Sequence, residues 1–111
     1  MKMAQAVGGH IIFEQATDGD LWARLPATLL QDGSVRGNAI HVYAALQVVG
    51  MEARHRGGPG YQGQEALGQW CGGLSRDSVW RAMKQLEEAG YIRTERVGLG
   101  APDNITILRL P

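Results

Sequence analysis

Five basic side chains in the second half of the chain have the types and spacing that suit contacts with a polyanion. Arg76, Arg81 and Lys84 occur in one short segment, and Arg93 and Arg96 follow in the next. A guanidinium group can bind O6 and N7 of guanine with two hydrogen bonds, and guanidinium and ammonium groups both bind phosphate. This chemistry is recognition of a charged polymer, and it requires elements that hold the cations on an accessible surface.

Four polar side chains among these cations can assist them. Ser75 can cap a helix start, which leaves first-turn amides able to meet a phosphate. Asp77 can accept a hydrogen bond from cytosine N4, or it can pair with Arg81 four residues later. The alternative for each is a solvated surface. The predicted contact residues are Ser75, Arg76, Asp77, Ser78, Arg81, Lys84, Arg93, Thr94 and Arg96.

The first group of cations requires a helix with one buried face. Four apolar residues recur at the spacing of such a face: Val79, Ala82, Met83 and Leu86. Ser75 is a helix-start signal and Gly90 is a helix-stop signal. At about 100° per residue, the opposite face carries Asp77, Arg81, Lys84 and Glu88.

A shorter helix is predicted just before it, from about Gln64 to Cys71, with Ala66, Leu67 and Trp70 facing inward. The turn that joins the two helices contains glycine. Such a pair is typical of a helix-turn-helix, whose second helix enters the major groove of DNA. Residues 64–90 are therefore predicted to form this unit.

Residues 91–110 follow the pattern of a β-hairpin. Ile105, Ile107 (or Leu108) and Leu110 alternate with Thr106 and Arg109, which suits a half-buried antiparallel pair. The strands are predicted at 91–97 and 104–110, with a tip at 98–103. Gly98 and Gly100 in this tip join two strands and open no helix, so they do not indicate a nucleotide-binding loop.

The same region resembles a known family. The matching positions are Leu67, Gly72, Leu74, Ser75, Ser78, Val79, Arg81, Leu86, Gly90 and Ile92. They resemble the pattern L-A-x-x-x-G-x-S-x-x-T-V-x-R-x-L-x-x-L-x-x-x-G-x-I of winged helix-turn-helix DNA-binding domains. Leu25-Pro26, the run from Ala39 to Tyr43, and Leu46 look like the earlier part of a subgroup found in plasmid and phage replication proteins and small bacterial regulators.

The resemblance covers roughly residues 21–110. It implies an α+β fold, a winged helix-turn-helix with a three-helix core and a C-terminal β-hairpin wing, and double-stranded DNA as the partner. Two positions depart from the pattern. Gly68 stands where the family usually has alanine, and the turn at 72–74 holds one residue more than the common spacing. Both departures concern the angle between the two helices.

Upstream, the sequence predicts a flexible start at residues 1–9, a β-hairpin at 10–25 and a short helical turn at 26–30. Asp18-Gly19 is a strong signal for a type I′ turn, and Phe13 and Trp22 are the expected anchors. Because an isolated hairpin is marginal in water, this one is expected to be structural or dimer-forming rather than DNA-facing.

A core helix is predicted next, with one apolar face made of Ala39, Val42, Tyr43, Leu46 and Val49. Ser34 or Gly37-Asn38 is its expected cap, and Gly50 is its expected stop. Residues 51–63 are rich in glycine and are predicted to form a mobile loop. The Arg54-His55-Arg56 run makes this loop basic, and it either stays solvated or lies along phosphates.

Length and charge limit the other possibilities. A chain of 111 residues allows one domain, at 10–111, without a separate ligand-binding domain, so neither a small-molecule ligand nor a cofactor is predicted. The formal net charge is zero, which weighs against nucleic-acid binding because such domains are often strongly basic. Cys71 is the only cysteine and is expected in the core, and the three histidines are too dispersed for a metal site.

The sequence also lacks the signs of catalysis and of a membrane. No nucleophile stands with a base at a recognisable spacing, and no carboxylate cluster suits nuclease metal ions, so no catalytic residue and no enzyme activity are predicted. No apolar run reaches the roughly 18 residues of a membrane helix. With no apolar leader after Met1, a soluble cytoplasmic protein is expected.

Three functions remain open from the sequence. The first is a sequence-specific protein that binds duplex DNA, acting as a small transcriptional regulator. The second is a plasmid or phage replication or partition component, and the third is a winged helix used for protein contacts. One domain of this size contacts too few base pairs for high specificity, so a symmetric homodimer is expected.

Overall fold

The computed structural model describes residues 9–12, 22–57, 60–101 and 103–108. Within them lie four α-helices and a two-stranded antiparallel sheet, which together form a small α+β globule. The elements are α1 (Ala27–Gln31), α2 (Asn38–Arg56), α3 (Gln64–Trp70), α4 (Arg76–Glu88), β1 (Ile92–Glu95) and β2 (Asn104–Ile107). No helix among the described residues is both long and apolar enough to cross a membrane.

The core forms where α2, α3 and α4 pack against one another. The predicted apolar face of α2 is confirmed, since all its residues are buried. The stripe on α4 is confirmed in the same way, and Val79 and Leu86 have no exposed surface. Ile92 at the start of β1 closes the core after α4.

The predicted end of α2 at Gly50 is wrong. The helix continues to Arg56 and ends at Gly57, which has a left-handed φ of 80° and whose N–H bonds to the carbonyl of Ala53. Ala53 is buried and extends the apolar face by another turn, and this burial offsets the roughly 1 kcal/mol that glycine costs inside a helix. Residues 51–56 are therefore helical rather than part of a loop.

The structure of the α3–α4 turn explains why the two departures from the family pattern, Gly68 and the extra residue at 72–74, occur together. Gly72 and Gly73 have φ angles of 74° and 96°, a conformation that residues with a Cβ rarely adopt. Through this turn the amides of Gly73 and Leu74 both bond to the carbonyl of Gly68, at 3.0 and 3.1 Å. A Cβ built on Gly68 would overlap the Leu74 carbonyl oxygen, so the longer turn requires glycine at this position.

The hairpin pairs β1 with β2 in a register that matches Ile92 with Ile107 and Glu95 with Asn104. Both strands are shorter than predicted, at four residues each. The alternation is confirmed within β2, because Ile105 and Ile107 are half-buried while Asn104 and Thr106 are exposed, and Leu110 lies outside the described residues. The sheet contacts the core through β1 and α4.

The segment before α1 is held against α2 by the side chain of Gln47. The Gln47 amide donates to the Arg24 carbonyl at 2.6 Å and accepts from the Arg24 N–H at 2.8 Å. The predicted helical turn after Pro26 is confirmed as α1. Residues 9–12 and 22–25 form no strand. The described parts of the predicted N-terminal hairpin are therefore not strands, and its predicted Asp18-Gly19 turn lies outside the described residues.

Candidate nucleic-acid interface

The first turn of α4 is organised by Ser75 and Ser78. Ser75 is the N-cap, and its Oγ accepts a hydrogen bond from the Ser78 N–H at 3.1 Å. The Ser75 hydroxyl also donates to Ser78 Oγ at 3.1 Å. Ser75 therefore positions the helix start, and the amides of Arg76 and Asp77 are the ones that the cap leaves for an anion.

The outward face of α4 carries the predicted cations. Arg76, Arg81 and Lys84 are exposed, and so is Asp77. Asp77 and Arg81 form no side-chain hydrogen bond or ion pair with any other residue that the structure describes, so the alternative in which they neutralise each other is not observed. The Arg81 guanidinium keeps its hydrogen-bonding capacity for a ligand.

Trp80 lies beside this face and is 50% exposed. The Lys84 ammonium sits 5.7 Å from the centroid of its ring, within the range of a cation–π contact. Helical spacing places Trp80 off the apolar stripe of α4. In the structure its exposed half and the adjacent lysine make it part of the α4 surface.

The hairpin divides the predicted wing residues between two faces. Arg93 pairs across the strands with Thr106, and both are exposed. Thr94 points the other way, is half-buried, and donates its hydroxyl hydrogen to a Glu87 carboxylate oxygen at 2.9 Å. Thr94 therefore joins the hairpin to the end of α4 and does not share a face with Arg93.

Arg96 lies just beyond β1 and is exposed, like Arg93. Glu95, the residue between Thr94 and Arg96, is exposed as well. A carboxylate so close in sequence to both arginines lowers the local positive potential of the hairpin.

A residue that the sequence reasoning missed, Arg36, lies against the α4 face. It lines a surface cavity of about 260 Å³, here called the Arg36 pocket. Its polar wall is Arg36, Asn38, Ser78, Arg81 and Gln85, and its other lining residues are Ala39 and Ala82. Two of the predicted contact residues, Ser78 and Arg81, therefore share a cavity with an arginine from the loop before α2.

Two hydrogen bonds hold Arg36 in place. Its backbone N–H donates to the Gln85 side-chain oxygen on α4 at 3.2 Å, and its Nε donates to the Gly33 carbonyl at 3.0 Å. The sequence gives only a weak signal for this arrangement, because one arginine before a helix is common and its neighbour on α4 is distant along the chain. Tertiary packing alone brings them together.

Among the described residues, the titratable side chains with shifted pKa values are Cys71, Tyr61 and Tyr43, and none of them is a predicted contact residue. Burial raises the pKa of the Cys71 thiol, in agreement with its predicted place in the core. Burial and, to a smaller extent, Asp103 raise the pKa of Tyr61. The Tyr43 hydroxyl is buried with no hydrogen-bond partner among the described residues. Burial and, to a smaller extent, the nearby Tyr91 raise its pKa.

The described residues include no group of three histidine, cysteine, aspartate or glutamate side chains that could hold a metal ion. The arrangement on α4 is instead suited to binding: exposed guanidinium and ammonium groups on a rigid helix, with a polar pocket at one edge. No protein-family model, no curated protein and no solved structure matches the chain.

Proposed function

We propose that this protein is a winged helix-turn-helix protein that binds double-stranded DNA, with α4 lying in the major groove. The observation that carries the proposal is the outward face of α4, where Arg76, Arg81 and Lys84 are exposed opposite a fully buried stripe. An α-helix fits the major groove, and its N-terminal side chains reach base edges there.

The order of elements supports the same proposal. The helices α3 and α4 are joined by a short glycine turn, α2 packs behind both of them, and an antiparallel hairpin follows α4. The larger turn and Gly68 distinguish this unit from the family pattern. Both features lie at the junction of α3 and α4, and the cations on the outward face of α4 are exposed.

The contact residues have separate roles in this proposal. Arg76 and Arg81 bind guanine edges or phosphates, and Lys84 binds a phosphate on the groove wall. Asp77 accepts a hydrogen bond from the N4 amino group of cytosine. The exposed arginines of the hairpin, Arg93 and Arg96, bind phosphate or the minor groove.

Ser75 and Thr94 act indirectly, since the cap and the bond to Glu87 already occupy their hydroxyl groups. Ser78 shares in the cap through its amide and lines the Arg36 pocket with its side chain.

The biological role proposed first is a small transcriptional regulator that acts as a symmetric dimer on a two-fold site. A replication or partition component of a plasmid or phage is the second role, and it uses the same surface. Transcription from a promoter that contains the site and the copy number of a plasmid that contains it separate the two roles.

The proposal is tested by measuring duplex binding by fluorescence anisotropy over a range of salt concentrations. With about three to five phosphate contacts per subunit, the logarithm of the association constant should fall against the logarithm of salt with a slope of about −3 to −5 per subunit. Binding that does not respond to salt, or no binding at low salt, would contradict the proposal.

A protein-contact function is the second candidate, and the zero net charge favours it. Trp80 is half exposed and Leu99 at the hairpin tip is fully exposed. Large apolar side chains of this kind are enriched in interfaces between proteins. This function predicts no duplex binding at low salt, so the same titration separates it from the first.

A further inference from the structure

The Arg36 pocket collects positive charge from two parts of the chain. Arg36 comes from the loop before α2 and Arg81 comes from α4, and both are exposed. The described residues that line the pocket include no acidic side chain. In a protein whose formal net charge is zero, such a local excess of cations is a feature of the fold rather than of the composition.

The pocket also offers several hydrogen-bond donors to an anion. The Nε bond to Gly33 and the backbone bond to Gln85 fix the Arg36 side chain at its base. Its two Nη groups form no hydrogen bond with another described residue. Because Ser78 Oγ accepts from Ser75, the hydroxyl hydrogen of Ser78 remains available to donate.

The beginning of α2 adds to this potential. Asn38, the first residue of α2, lines the pocket. The N-cap Gly37 supplies no side-chain bond, and the first turn carries no acidic residue. The partial positive charge of a helix start therefore stays uncompensated next to the two arginines.

We infer that the Arg36 pocket holds one phosphate oxyanion, and that in the complex this is a phosphodiester of the DNA backbone. The inference rests on the proposed function and adds a contact residue, Arg36, outside the helix-turn-helix and the hairpin. A phosphate seated between Arg36 and Arg81 fixes the depth and register of α4 in the groove, because phosphate contacts position a protein on the duplex. Gln85 is a positioning residue, since it holds the loop that carries Arg36 against α4.

The test compares duplex binding of the wild type with that of Arg36→Ala, Arg36→Lys and a matched control, Arg24→Ala. Arg24 is also exposed and lines a different cavity, and its two bonds to Gln47 use only the backbone of Arg24. Loss of one phosphate contact should reduce the salt slope by about 0.9 per subunit. It should also weaken binding to different duplex sequences by the same factor. Arg36→Lys should keep the slope, and Arg24→Ala should behave as the wild type.

A second arm identifies the source of the phosphate and checks folding. Inorganic phosphate is titrated into the wild type and into Arg36→Ala while the backbone amide signals of Asn38 and Ser78 are followed by NMR, and thermal melting verifies that each variant folds. Signals that move with free phosphate in the wild type and stay fixed in Arg36→Ala support an oxyanion site.

Each outcome bears on a different part of the inference. Wild-type binding with an unchanged slope in Arg36→Ala would overturn this inference alone and leave the proposed function standing. An unchanged slope in Arg36→Ala, together with wild-type amide signals of Asn38 and Ser78 that move with inorganic phosphate, would mean that the pocket binds free phosphate rather than the duplex backbone. Absence of wild-type duplex binding would overturn both proposals.

Discussion

Replacing Gly68 by alanine should destabilise the protein, although alanine is the residue that the family pattern favours there. The new Cβ would overlap the carbonyl oxygen of Leu74, and backbone in the turn would have to move to relieve the contact. Overpacking of this kind typically costs about 1–3 kcal/mol. The Gly68 carbonyl accepts hydrogen bonds from the amides of Cys71, Gly73 and Leu74, and stretching the last two should cost about 1 kcal/mol in total.

The gain in helix propensity from glycine to alanine opposes this cost by only about 1 kcal/mol. The net loss in unfolding free energy is therefore about 1–3 kcal/mol, and each kcal/mol lowers the melting temperature of a domain near this size by about 4–8 °C. Urea and thermal unfolding of Gly68→Ala measure both quantities.

Gly50→Ala is the matched control, because Gly50 also lies inside a helix but has open space where its Cβ would stand. This control should gain about 0.5–1 kcal/mol. If Gly68→Ala stabilises the protein as much as Gly50→Ala does, the account of the α3–α4 turn is wrong.

Three further predictions concern other parts of the molecule. Thr94→Val should lower the unfolding free energy by about 0.5–1.5 kcal/mol, because the hydrogen bond to Glu87 is lost. The salt slope of duplex binding should stay unchanged. A smaller slope at unchanged stability would instead make Thr94 a DNA contact. Because burial raises the pKa of the Cys71 thiol, its contribution to stability is complete below the ordinary thiol pKa and is lost as pH rises towards the folded pKa. Wild-type stability should accordingly decline more steeply than that of Cys71→Ala in urea unfolding across this alkaline range, and parallel declines would refute the assignment. Replacing both Ile11 and Ile12, which are 84% and 82% exposed, by serine should shift a dimer towards monomer in sedimentation experiments, and an unchanged mass would remove these residues from the interface.

The helices of the core were predictable because their signals are local. A buried stripe with a serine cap places α4 correctly, and the apolar face of α2 identifies that helix. The helix end predicted at Gly50 was wrong because the weak tendency of glycine to end a helix is outweighed by the burial of Ala53 one turn later. The strands ended early for a similar reason, since pairing rather than residue type decides where a short strand stops.

The candidate site was predictable only where it lies on one element. The cations of α4 follow from helical spacing, and the division of the hairpin into an Arg93 face and a Thr94 face follows from strand alternation. The Arg36 pocket depends on a loop packed against a distant helix through Gln85. Helical and strand periodicity carry no information on such a contact.

The central claim, that the outward face of α4 binds duplex DNA, is tested most directly with Arg81→Ala. A duplex selected for tight binding to the wild type and a random duplex are each titrated with wild type and variant, while thermal melting controls for folding. If Arg81 reads a guanine, the variant should lose about 1–3 kcal/mol on the selected duplex, which is about 5- to 150-fold in affinity, and much less on the random one. Equal weakening on both is the result expected if Arg81 serves only the phosphate of the Arg36 pocket, and it would also keep α4 at the interface. Unchanged affinity for both duplexes would contradict the assignment of α4 as the reading helix.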